Sequence, residues 1–297
     1  MIQTMPNIPQ EYQSHIQANA DWKQIVAWAN DLPPLPHVAT KAIALIETQE
    51  VRTPELTSLL SQDTALAAKV LKIANSAMFS RQREISTISQ AIMLIGLKTL
   101  KGIIVAASLK SIQNKSGYIE KLIWENSTCT AVASQVICRK IKSSFIDESY
   151  ITGLLHDLGK LVLSQSLKQE YAEIVENTKS KTTFIDAETK ALGCSHSLIG
   201  ALVAKKWNFS GETCQTILYH HEEIKNISEA SLKHKVLIVQ TANAIAHVLG
   251  YGHLEGYPDQ TDALIKYWAI LDLAPDSLEE TKEEVQKLYS EQIAIIG

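Results

Sequence analysis

Gly153-Leu154-Leu155-His156-Asp157-Leu158-Gly159-Lys160-Leu161-Val162-Leu163 sets the reading of this chain. Adjacent His and Asp present one imidazole nitrogen and one carboxylate to a single hard or borderline metal ion. Both stand in an apolar stretch whose spacing predicts a helix from Ile151 to Leu163. An unpaired charge there is costly, so Asp157 needs a partner, and a cation is the obvious one.

Outward from that stretch the pattern is helical nearly throughout. Gly (12) and Pro (8) are sparse, and no alternating run reads as a strand. Thr53-Pro54-Glu55 reads as a helix start, and Asp63 as the cap of the next helix, with Leu66, Val70 and Ile73 on one face. Ile88, Ile92 and Ile95 form a stripe stopped by Gly96, and Leu100, Ile103, Ile104 and Ala107 form the next. Leu122, Asn126, Thr130, Ala133 and Ile137 share a face beyond a break at Gly117. Leu232, Val236, Val239, Asn243 and Ala246 share another, ended by Gly250. The tail holds two more helices, with Ser277 and Glu280 spaced as a capping box. Its Trp268, Leu271, Val285, Leu288 and Ile293 are spaced to dock on the body of the protein. The expected organisation is an N-terminal helical lobe over 20–116, a second lobe over 117–250 and a C-terminal helical extension over 251–297.

The 297 residues are 45% hydrophobic and 20% charged, a globular balance with room for two lobes. A net charge of -4 lacks the basic surplus of a general nucleic-acid binder. Runs such as Gly102-Ile103-Ile104-Val105-Ala106-Ala107 read as too short to span a bilayer. Met1 to Gln13 lacks the pattern of a secretory signal. Cys129, Cys138, Cys194 and Cys214 form no C-x-x-C pair and read as small buried hydrophobes. A cytoplasmic protein without a membrane partner is expected.

Of nine histidines, His15, His37, His234, His247 and His253 read as ordinary core or surface residues. The others fall in a pattern. His196 follows Ser195 at a helix start, while His220-His221 end a helix capped by Ser210 and precede Glu222. With His156 and Asp157 they suit one metal site if their helices converge, which spacing alone does not establish.

Further motifs carry a family resemblance. The chain reads Leu32-Pro33-Pro34-Leu35-Pro36, Leu59-Leu60-Ser61-Gln62-Asp63, Ile73-Ala74-Asn75-Ser76-Ala77-Met78-Phe79 and Ile88-Ser89-Gln90-Ala91-Ile92. It continues with Leu155-His156-Asp157-Leu158-Gly159-Lys160, His196-Ser197-Leu198-Ile199-Gly200, Trp207 and His220-His221-Glu222. From about Trp22 to Gly250 this resembles the HDOD domain, the HD-related output domain of bacterial signalling proteins. The resemblance implies an all-α, HD-domain-like helical bundle derived from metal-dependent phosphohydrolases. In that superfamily the first metal takes a His on an upstream helix, the His–Asp pair and a later Asp. Those outer positions fall here on Asn126 and Asn243, while His156 and Asp157 remain. The second-metal set is whole: Asp157, His196, His220 and His221.

Asparagine brings neither charge nor imidazole, so the first site is weakened. One ion of iron, manganese or zinc and poor hydrolysis are expected, since a two-metal hydrolase needs both ions. Lys160 is a candidate anion contact or, equally, a partner for Asp157 or Glu222. Gly256-Tyr257-Pro258 spells the HD-GYP tripeptide but lies far beyond His-His-Glu and reads as a loop.

The expected function is a regulatory module acting through contacts with signalling proteins, with a nucleotide as a candidate ligand. The alternative is a metal-dependent phosphohydrolase acting on a nucleotide or cyclic dinucleotide. A third reading takes Ser89 to Leu100 as a helix-turn-helix. Its recognition helix, Lys98 to Ser108, carries an apolar face that suits a core better than a groove.

Overall fold

The apolar stripes become helices. The computed structural model describes residues 8–18, 20–31, 35–48, 51–76, 79, 84–113, 117–178 and 182–296. Leu32-Pro33-Pro34, Ala77-Met78 and the lobe boundary near Ser116 lie outside the described residues. The chain opens with α1 (Gln10–Gln13), α2 (Trp22–Asp31), α3 (His37–Ile46), α4 (Thr53–Ser61), α5 (Thr64–Ala74) and the long α6 (Ile88–Gln113). Its middle is α7 (Tyr118–Lys140), α8 (Ile146–Leu155), α9 (Leu158–Ser166), α10 (Lys168–Thr178) and α11 (Phe184–Leu192). It ends with α12 (His196–Lys206), α13 (Gly211–Tyr219), α14 (Ala230–Val248), α15 (Thr261–Ile270) and α16 (Ser277–Ile296). No strand occurs among the described residues, so the fold is all-α.

Local chemistry explains several of these boundaries. Asp63 caps α5 by accepting the Leu66 N–H at 2.9 Å, and Ser210 caps α13 by accepting the Thr213 N–H at 3.1 Å. Gly96 interrupts α6 with φ 74 and ψ 167, a conformation that glycine adopts without a Cβ clash. Ser277 departs from the capping-box expectation: it is the first residue of α16, and its hydroxyl donates to the Ala274 carbonyl at 2.7 Å.

The helix expected from Ile151 to Leu163 is two helices. The chain leaves α8 at His156 and begins α9 after Asp157, which adopts φ -99 and ψ 13. Residues 149–164 are buried on every side, so hydrophobic spacing gives no sign of the break. Asp157 uses its carboxylate on Lys160 and the histidines, and not on a helix N–H.

Packing places this junction at the centre. α7 packs along both α8 and α14, α12 packs on α9 and α13, and α2 packs on α9 and α12. α5 and α6 pack on each other, and α6 also packs on α8. α16 closes over α7 and α5, where Gln292 donates to the Tyr150 hydroxyl at 3.1 Å. One hydrophobic cluster runs from Ile8 to Tyr289.

The segment Ile88–Ser108 exceeds the apolar run length expected from sequence and, by length and composition alone, is sufficient to cross a membrane. Its backbone breaks at Gly96, and 67% of its most apolar window is buried within the fold. The stretch read as a recognition helix is also core: Leu100 to Ala107 are buried, Lys101 included. Lys101 pairs with Glu47, donates to the Asn208 carbonyl at 2.9 Å and sits over the Phe209 ring. The four cysteines are buried and free.

Candidate metal centre

Tight helix contacts bring the charged residues together. Gly159, in the first turn of α9, abuts the start of α12. A Cβ built at Gly159 would lie 1.9 Å from the His196 carbonyl oxygen and 2.9 Å from the Gly200 nitrogen. Glycine thus lets the α8–α9 junction lie against the helix that starts with His196. α13 packs on α12 and delivers His220 and His221 at its C-terminal end.

Asp157, His196, His220 and His221 place one donor atom each within 4.8 Å of one another, a group able to hold a metal ion. Asp157 Oδ1 lies 3.2 Å from His196 Nε2 and 3.6 Å from His220 Nε2. His196 Nε2 is 3.4 Å from His220 Nε2 and 3.1 Å from His221 Nε2. His156 stands beside this group, its Nε2 facing the other carboxylate oxygen, Asp157 Oδ2, at 3.4 Å.

The ring tautomers follow from the partners. A carbonyl or carboxylate oxygen accepts, so the nitrogen facing it carries the proton. His156 Nδ1–H donates to the Gly153 carbonyl at 2.7 Å, and His220 Nδ1–H to the Ile217 carbonyl at 2.6 Å. His196 Nδ1–H donates to Glu188 Oε2 at 2.6 Å. In the neutral rings, each Nε2 therefore presents a lone pair inward. His156 Nε2 and Asp157 Oδ1 are buried with no hydrogen-bond partner. Converging lone pairs and a carboxylate oxygen repel unless positive charge lies among them. This donor set, imidazole nitrogens and a carboxylate, could hold a metal ion.

The electrostatics agree. Burial acts to raise the Asp157 carboxyl, but the groups around it, the Lys160 ammonium among them, outweigh it and hold it well below the usual carboxylate range. Lys160 Nζ donates to Asp157 Oδ2 at 2.8 Å, with the two residues 5% and 2% exposed. Burial pushes His156 down to about 3 and lowers His220, so both rings are neutral. Burial acts the same way on His196, but Glu188 and Asp157 prevail and raise it.

Asn126 and Asn243 also meet. Asn126 Nδ2 donates to Asn243 Oδ1 at 3.1 Å and lies 3.5 Å from His247 Nε2. One hydrogen bond joins the two amides where the resemblance places metal ligands, and Asn126 Oδ1 is buried with no hydrogen-bond partner.

Sequence reasoning passed over several neighbours. Glu188 is fully buried on α11 and accepts from His196 Nδ1 and the His196 backbone N–H, both through Oε2. Its Oε1 accepts from the Tyr171 hydroxyl at 2.8 Å. Phe184, Glu188 and Leu192 share one helical face, so a carboxylate on an apolar stripe was the available signal. The structure makes Glu188, and not Ser195, the cap of α12: the Ser195 hydroxyl bonds Ser197 instead. His247, read as ordinary, stacks on Tyr257. Gly256-Tyr257-Pro258 is a loop, as read, but its Tyr257 lines a cavity beside Asp157.

Glu188→Gln is expected to preserve packing while weakening the orientation and basicity of His196. Metal affinity should fall roughly 10–100-fold, measured by competition with a chromophoric chelator. Unchanged affinity would remove Glu188 from the site.

Fold and site define a helical protein of the HD type with a His/Asp cluster. A family model for the HDOD domain matches residues 32–223. The chain belongs to the HDOD domain family. It is 26% identical over 241 residues to an uncharacterized protein of Treponema pallidum (strain Nichols), covering 80% of this chain and 46% of that relative. The chain thus spans about half the length of the curated relative it matches. An HDOD domain protein of unknown function from Geobacter sulfurreducens is similar, with 26% identity and a TM-score of 0.67; the match covers 93% of this chain and 97% of that one. A provisionally named phosphohydrolase from Shewanella amazonensis SB2B shares the fold at 20% identity and a TM-score of 0.73; the match covers 92% and 98% of the two chains.

Proposed function

We propose that this chain is a regulatory HDOD module that holds one divalent transition-metal ion and acts through contacts with signalling proteins. The Asn126–Asn243 hydrogen bond carries this reading. That bond joins two neutral amides at the positions where the resemblance implies an imidazole and a carboxylate for a hydrolytic first metal. Asp157, His196, His220 and His221 would hold the ion. Bound there, the ion would supply Lewis acidity and a structural cross-link between the α8–α9 junction, α12 and α13. Lys160 neutralises Asp157, and Glu188 holds the His196 tautomer. These contacts support a rigid centre over one built to bind a phosphoryl group.

Metal analysis of protein purified without chelator tests this reading. About one ion per chain is expected from the single intact donor set, with no metal-dependent hydrolysis of bis(p-nitrophenyl) phosphate. The Asn126→His/Asn243→Asp double variant should take up a second ion. Two ions in the unaltered protein, or hydrolysis abolished by His156→Ala, would establish the phosphohydrolase alternative instead.

A further inference from the structure

A cavity of about 480 Å³, counting its open mouth, lies beside Asp157. Its aromatic side is continuous. Tyr257 stacks on His247 with centroids 5.2 Å apart and planes 27° apart, and Tyr257 lies 5.7 Å from Phe184. From α7 the lining is aliphatic, with Ile119, Leu122 and Ile123. The space suits a flat apolar body contacting rings and aliphatic carbon.

The charge pattern narrows the choice. Asp157 and Lys160 are the lining residues with a full charge, and they neutralise each other at 2.8 Å. Lys160 Nζ also lies 4.3 Å from the centre of the Phe184 ring, where the π face stabilises the ammonium. A phosphate entering this cavity finds no cation free among the lining side chains. Capturing Lys160 would strip Asp157 Oδ2 of its partner, and an ion held on Oδ1 would lie among histidines that do not line the cavity. A charged ligand would also lose its hydration against apolar walls. The polar lining group from α7, Asn126, is a neutral amide.

We infer that this cavity binds a small, neutral, aromatic molecule and disfavours its phosphorylated counterparts. The inference goes beyond the metal assignment. Its aromatic wall comes from α11, α14 and the loop after α14, and metal content is read separately in the test. The site gives a regulatory module a small-molecule input next to its metal centre.

Calorimetric titration of the full chain with indole, and in parallel with phenyl phosphate, tests the inference. Indole is expected to bind once per chain with a Kd of about 1 mM or tighter, the range open to a fragment of its size. Phenyl phosphate should bind at least tenfold more weakly. Leu254→Trp, which fills the cavity from its loop, should weaken indole binding about tenfold or more. Tyr257→Ala, which removes the middle of the aromatic wall, should do the same. Both variants should keep the helical circular dichroism and metal content of the unaltered protein. If Leu254→Trp does not fold, Tyr257→Ala decides. No indole binding at ~10 mM, phenyl phosphate binding as tight as indole, or indole binding unaffected by both substitutions would overturn the inference. An unaltered protein that binds indole but holds no metal would refute the metal assignment and leave this site standing.

Discussion

Asp157→Ala should strip the centre of its metal and destabilise the fold by about 3–5 kcal/mol. Two losses combine. The carboxylate is the single anionic donor in the cluster, so three neutral imidazoles would be left to hold the ion. Lys160, 5% exposed, would also be left as a buried ammonium without its partner at 2.8 Å. Breaking a buried ion pair from one side costs far more than replacing both members. The double variant Asp157→Leu/Lys160→Met should therefore recover most of the stability while remaining metal-free. Urea unfolding and metal analysis of the two variants make the comparison. If both are equally unstable, the loss lies in the metal cross-link and not in the orphaned lysine. If Asp157→Ala retains its ion, the cluster is not the metal centre.

Gly159→Ala should be nearly as damaging, although it adds one methyl group. That methyl would lie 1.9 Å from the His196 carbonyl oxygen, a backbone atom with no rotamer to change. α9 and α12 would have to separate, taking Asp157 and His196 apart with them. A cost of about 3 kcal/mol or more is expected, at the upper end for overpacking. For a chain of 297 residues that corresponds to a fall in Tm of roughly 5 °C, accompanied by weakened metal binding. Gly211→Ala is the matched control: no atom lies within 4 Å of its added Cβ, in the first turn of α13. It should be neutral or stabilising by up to about 1 kcal/mol, since alanine restricts the unfolded chain and favours the helix. Thermal unfolding of the pair checks this. Equal midpoints would show that the α9–α12 contact tolerates separation.

The contrast between these glycines shows what a linear pattern conceals. In the sequence Gly159 falls within the helix expected from Ile151 to Leu163 and Gly211 follows the Ser210 cap, and neither position shows what an added carbon would meet. One meets a carbonyl oxygen of a distant helix, and the other meets open space. The same limit applies to Lys160: the sequence leaves an anion, Asp157 and Glu222 open as its partners, and the fold pairs it with Asp157 at 2.8 Å. Glu188 was overlooked because its partner, His196, lies across a turn and its role appears only when both rings and backbone are placed. Tyr257 was set aside with its tripeptide because a loop position carries no periodicity. The chain folds back and lays that ring on His247.

By itself, the sequence determined the all-α class, the Asp63 and Ser210 caps, the interruption at Gly96 and the residue types available to a metal. These are local: each depends on side-chain spacing within a few turns, or on one residue's own backbone freedom. Only the tertiary structure decided that four donors from three separate segments meet, and that Glu188 backs one of them. It alone paired Asn126 with Asn243 across 117 positions of chain and set an aromatic-walled cavity beside Asp157. Periodicity says which face of a helix leaves water, but the neighbour that face meets is chosen by packing all the helices at once.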